Sequence, residues 1–124
     1  MTTFRKKNPR TFTLAHRHRL DRAAEHYLRF CYRQKTAARA SEFATYAGRT
    51  PEYMSWLARN AVGKSLRTFL REKQLAYAAQ LLRTTPLSVE EIAERAGFGT
   101  AGTLYRWFAA AYGMSPGQFR ESKK

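Results

Sequence analysis

The chain has 124 residues, with 23 lysines and arginines against 9 acidic residues, a net charge of +14 and a single cysteine. That length suits one domain or two very small ones, and a lone Cys31 excludes an internal disulfide framework and fits a reducing cytosol. The charge excess points to a polyanion, nucleic acid ahead of an anionic membrane or an acidic protein, while no apolar run reaches bilayer length and no signal-peptide pattern follows Met1.

Residues 1–12 carry Arg5, Lys6, Lys7 and Arg10 around Pro9 with little periodicity, which predicts a basic flexible tail. Such a tail either adds phosphate contacts or minor-groove reach, or simply solubilises the chain. A helix follows from about Thr13 to Gln34. Leu20, Ala23, Ala24, Tyr27, Leu28 and Cys31 form its apolar stripe, and Arg22, His26, Arg29 and Arg33 a basic one. His16, His18, His26 and Cys31 do not share a helical face well, so no metal site is expected, and no cofactor.

Within Arg39–Val62, Thr50-Pro51 supplies a capping hydroxyl and a first-turn proline. The helix they start has Met54, Leu57, Ala58, Ala61 and Val62 inward, with Glu52, Trp56, Arg59 and Asn60 outward. Trp56 is expected to be exposed; the competing reading buries its ring against the N-terminal helix. Ser65 to Thr84 predicts one long helix with two apolar faces. Leu66, Phe69, Leu70, Tyr77 and Leu81 lie on one, and Leu75, Ala78, Ala79 and Leu82 on the other, as in a strut packed between two bodies.

Ser88-Val-Glu-Glu91 is a capping box that opens a short helix from Val89, broken at Gly97. The following helix, Thr100–Tyr112, presents Leu104, Trp107, Phe108, Ala111 and Tyr112 at one-face spacing. Arg106 lies about 200° from Leu104, flanked by Gly102, Thr103, Ala109 and Ala110. Short helix, glycine turn and amphipathic helix with an outward arginine read as helix-turn-helix. A last short helix begins at Ser115-Pro116 and is anchored by Phe119.

The two halves repeat. Glu42–Gly48 aligns with Glu91–Gly97 at an offset of 49, whereas Met54–Ala58 and Gly63–Ser65 align with Leu104–Phe108 and Gly113–Ser115 at an offset of 50. One residue is therefore inserted in the second turn, where length changes are tolerated. The predicted fold is all-α, about seven helices in two helix-turn-helix subdomains. The predicted division is a tail at 1–12, an N-terminal helix plus first unit at 13–64, a linker helix at 65–84, and a second unit with its C-terminal helix at 85–124.

The run Leu81–Phe98, with Arg106-Trp-Phe108 and Tyr112-Gly-Met-Ser-Pro116, resembles the DNA-binding region of AraC/XylS-type bacterial transcription regulators. Gly63-Lys-Ser65 and Leu70–Ala76 fit the same pattern, and the resemblance runs from about Leu20 to Glu121. In size the chain is similar to the MarA-like stand-alone members, without room for a separate effector domain. The resemblance implies two helix-turn-helix units entering successive major grooves of double-stranded DNA. Base contacts are implied for Arg106, Gly102, Thr103 and Tyr105 in the second unit and for Glu52, Ser55 and Trp56 in the first.

Phosphate contacts are assigned to Arg22, Arg29, Arg33 and Arg59, and to helix starts near Ser88 and Thr100. Two residues depart from the family pattern. Trp56 stands where an arginine is usual, removing a bidentate guanine contact worth about 1–3 kcal/mol of discrimination. Ala58 stands where a buried phenylalanine is usual, which predicts a weaker first unit. The expected protein is a cytoplasmic monomer with RNA polymerase as a further partner, no membrane contact and no effector site. No nucleophile–base pair, paired carboxylates or phosphate-cradling glycine loop suggests an enzyme. A protein-interaction module and a non-specific nucleic-acid binder are the alternatives.

Overall fold

A computed structural model describes residues 14–122, which form seven helices with no strand among them. In chain order these are α1 (Leu14–Gln34), α2 (Ala40–Tyr46), α3 (Pro51–Val62), α4 (Leu66–Thr84), α5 (Val89–Arg95), α6 (Ala101–Tyr112) and α7 (Pro116–Ser122). The predicted basic tail at 1–12 lies outside the described residues.

Local chemistry sets the boundaries. Thr50 and Thr100 are N-caps whose hydroxyls accept the backbone N–H of Tyr53 and Thr103, at 3.1 and 3.2 Å. Ser65 and Ser115 do the same for Thr68 and Gln118. Each bond satisfies one of the amides a helix start leaves unpaired. Gly63 and Gly113 end α3 and α6 in the left-handed conformation, at φ 73° and 71°. Capping residues thus match at an offset of 50, and so do Phe69 and Phe119, both buried. The duplication therefore runs past the serines: the first two turns of α4 occupy the place in the first unit that α7 occupies in the second. The inserted residue of the second turn is Gly99, with φ +84°.

Two cores result. The first joins α1, α2, α3 and the start of α4 around Leu20, Tyr27, Phe43, Met54 and Phe69; the second joins the rest of α4 to α5, α6 and α7 around Leu82, Ile92, Leu104, Phe108 and Phe119. α4 is divided along its axis: Leu66, Phe69 and Leu70 enter the first core, and Leu75, Ala78, Ala79, Leu81 and Leu82 the second. This corrects the grouping of Tyr77 and Leu81 with Leu66. A helix that leaves one body for the other exchanges neighbours with axial position, so Leu81 is buried in the second core and Tyr77 packs against it. The Tyr77 ring also stacks on Tyr32 of α1 at 4.6 Å.

Ala58 is wholly buried in the first core, at the place that the larger, equally buried Phe108 takes in the second. At the other end, Ala111 is exposed and Tyr112 is 38% exposed, contrary to their expected burial. The Tyr112 ring lies tilted over Phe108 and over Phe119 of α7, at 4.4 and 5.5 Å.

The two units are joined at a polar junction. Gln74 of α4 is fully buried, and its Nε2 donates to the carbonyls of Ala96 and Gly97 at 2.8 and 2.9 Å. Its Oε1 accepts from Arg71 at 3.1 Å. Beside it the Ala38 N–H donates to the Gly97 carbonyl at 2.9 Å, linking the segment before α2 to the turn of the second unit. Gly97 has φ +75°, and a Cβ there would lie 3.1 Å from the Gln74 amide nitrogen, so glycine is required by conformation and by space. At the far end of α4, Arg120 donates to the carbonyls of Leu82 and Thr85. It places a cation where the helix dipole is negative.

Candidate nucleic-acid interface

α6 presents the ridge that the sequence singles out. Arg106 is exposed, Tyr105 is 42% exposed, and Gly102 and Thr100 are also at the surface, with Thr103 half-buried beside them. The Arg106 guanidinium folds back along the helix, its Nη2 3.5 Å from the Thr103 hydroxyl. A Cβ added at Gly102 would meet Arg106 Nη1 and the Thr100 hydroxyl at 3.9 Å, ordinary contact. With small Ala109 and Ala110 beyond it, Arg106 is the one long donor of the ridge and has room to swing outward. Such a fork of N–H donors suits the O6 and N7 acceptors of guanine.

On α3, Glu52, Ser55 and Arg59 are exposed and recur at i, i+3 and i+7, so they share a face. Trp56, expected to be exposed, is half-buried: it packs against the first core and lies tilted on the Tyr53 ring at 5.9 Å. Its position on the helix points away from the apolar stripe, but an indole is wide enough to lie back over its neighbour and shed water. Only part of the residue is therefore available to a partner.

The phosphate candidates are scattered. Arg22, Arg29 and Arg33 are exposed along α1, and Arg59 is exposed at the end of α3. Ser88 forms the capping box that the sequence predicts. Its N–H donates to the Glu91 carboxylate at 3.0 Å while its hydroxyl accepts the Glu91 N–H, so both halves of the capping box are formed. These hydrogen bonds hold the Glu91 carboxyl below its ordinary range. An anion already occupies the start of α5, and a phosphate approaching it meets like charge.

Sequence reasoning missed a second basic feature. Arg67 and Arg71, one turn apart on α4, place their guanidiniums 5.5 and 5.7 Å from the centroid of Trp107, and Arg71 also lies 5.2 Å from that of Phe98. These are cation–π distances. Partial burial, then the neighbouring Arg67 charge, lower the Arg71 pKa. The available signal was Trp107 itself, an aromatic large enough to reach α4 from the edge of the apolar face of α6.

Comparison with known proteins agrees with this architecture. The helix-turn-helix domain family matches residues 43–122. The transcriptional activator NphR of a Rhodococcus species is 39% identical over 62 residues, covering 50% of this chain and 18% of its own length. The chain spans about a fifth to a third of the first curated relatives it matches. Among solved structures, the C-terminal domain of AraT, a response regulator from Geobacillus stearothermophilus, superposes with a TM-score of 0.71 at 26% identity, covering 90% of this chain and 88% of that one. The DNA-binding domain of AdpA, solved with a target DNA, shares the fold with a TM-score of 0.68 at 22% identity, over 80% and 90% of the two chains. By the extent of that match, the duplicated units and the helix that carries both, the chain belongs to the AraC/XylS-type helix-turn-helix family of DNA-binding transcription regulators.

Proposed function

We propose that this protein regulates transcription by inserting α3 and α6 into successive major grooves on one face of double-stranded DNA. The observation that carries this reading is the pair of capped helix-turn-helix units held on one helix by the Gln74 junction. Two readers at fixed separation recognise two half-sites about one helical turn apart, roughly 34 Å. Arg106 reads a guanine, with Thr103 and Tyr105 beside it, while Gly102 permits close approach of the backbone. Glu52, Ser55 and Trp56 give the first unit a softer preference, such as contact with a thymine methyl. Arg22, Arg29, Arg33, Arg59 and the start of α6 at Thr100 supply salt-dependent phosphate attraction. The protein works by binding rather than catalysis, as a monomer on the chromosome in the cytoplasm. Contact with RNA polymerase is the route to activation, consistent with the activator role that the name of the relative NphR records.

Selection of bound fragments from random duplex DNA near physiological salt, with wild type and Arg106→Ala in parallel, tests this. Two short motifs on one helical face are expected, and the variant should lose choice at one base pair. Discrimination there should fall by about 1–3 kcal/mol. Absence of any enriched motif in the wild type would overturn the reading in favour of a non-specific binder or a protein-interaction module.

A further inference from the structure

Between the two units lies a groove of roughly 540 Å³, lined by Arg39 and Ser41 at the start of α2, Arg67 and Arg71 of α4, and Phe98 and Thr100 before α6. Three arginines are the only charged residues among the twelve that line it. Among the described residues, none of the ion pairs involves Arg39, Arg67 or Arg71; the acidic partners Asp21, Glu25 and Glu72 are taken by Lys73 and Lys64. The Nε of Arg71 is buried and has no hydrogen-bond partner. A buried, unused donor is costly, and so is a second cation one turn away on the same helix. Protein atoms compensate only in part, through the faces of Trp107 and Phe98 and the Gln74 carbonyl.

We propose that this groove is an anion cradle that takes a DNA backbone phosphate from the stretch between the two half-sites, through Arg67 and Arg71. This rests on the DNA-binding reading above and extends it from the recognition helices to the helix between them. The phosphate oxygens accept from the Arg67 fork, which Trp107 holds in place, and from Arg71, while Thr100 and Ser41 offer hydroxyls at the rim. An anion here cancels the repulsion between the two arginines. The contact reads no base: it sets the register of both recognition helices, because α4 belongs to both cores.

Arg67 is exposed, so Arg67→Ala should fold normally. Its affinity for the selected duplex and for a scrambled one is measured from low to moderate salt, beside wild type. Both affinities should fall, by about three- to tenfold, and the salt slope should shrink by about 0.9, one phosphate's worth, with base preference unchanged. Single methylphosphonates placed through the stretch between half-sites then locate the contact. Wild type should lose affinity at one or two positions, and Arg67→Ala should be insensitive there.

Specific binding by wild type with no change of salt slope or methylphosphonate pattern in Arg67→Ala overturns the cradle and leaves the two-groove reading intact. Loss of all specific binding in wild type would instead overturn that reading. Titration with inorganic phosphate, followed by the Trp107 indole resonance, separates a free anion from DNA. A saturable shift abolished by Arg67→Ala, with no methylphosphonate effect, would make this a small-anion site and overturn the DNA assignment.

Discussion

Gln74 shows how much a single residue can decide here. It lies mid-helix with a polar amide end, yet it is fully buried and serves carbonyls 22 and 23 positions away. Gln74→Leu keeps the volume and leaves the Ala96 carbonyl without its partner, and it removes the acceptor of Arg71. The expected loss is about 1–3 kcal/mol, seen as a lower denaturant midpoint with an unchanged slope. The exposed Gln80→Leu on the same helix should change stability by less than about 0.5 kcal/mol. Equal midpoints for the two variants would remove Gln74 from the junction. Nothing local in the sequence marks Gln74, since a polar residue on a helix reads as solvent-facing until its distant partner is known. Trp56 failed in the same way: its helical angle was legible, but the route its ring takes over Tyr53 was not. Arg106, by contrast, was legible as outward from its angle to Leu104, because its small neighbours offer no ring to lie over.

The elements themselves were largely legible because their boundaries are local chemistry. Threonine and serine caps, the Ser88–Glu91 box and the break at Gly97 stand where expected, since each needs only three or four neighbouring residues. Burial at helix ends was not, because Ala111 and Tyr112 depend on what α7 covers. Within α6, Gly102 is the element's weak point, and space is not the reason for it: a Cβ there makes only ordinary contacts, and its φ is not in the left-handed region. Gly102→Ala should therefore stabilise the protein by up to about 1 kcal/mol through helix propensity. If the glycine serves close approach of a DNA backbone, the same variant should bind its duplex several-fold more weakly despite its higher melting temperature. A variant that is more stable and binds equally well would show that Gly102 faces no part of the DNA.

For the whole molecule, the decisive property is that both readers are fixed to one frame. α4 enters both cores, Gln74 and the Ala38–Gly97 hydrogen bond tie the units where they meet, and α1 packs on α3 and also reaches α5. A hinge would require breaking buried hydrogen bonds at the junction, so the spacing of half-sites in DNA becomes a readout of protein rigidity. Inserting about five base pairs between the selected half-sites turns one of them to the opposite side of the duplex. Only one unit can then engage. Because each lost base-pair contact costs roughly 1–3 kcal/mol, affinity should fall about a hundredfold or more. A full-turn insertion restores the face but not the distance, and α4 cannot lengthen, so binding should recover only as far as DNA bending allows. Gln74→Leu loosens the frame: it should bind the native spacing more weakly than wild type and lose less on the half-turn insertion. If wild type binds native and half-turn spacings equally well, the units act independently, and the junction serves stability alone.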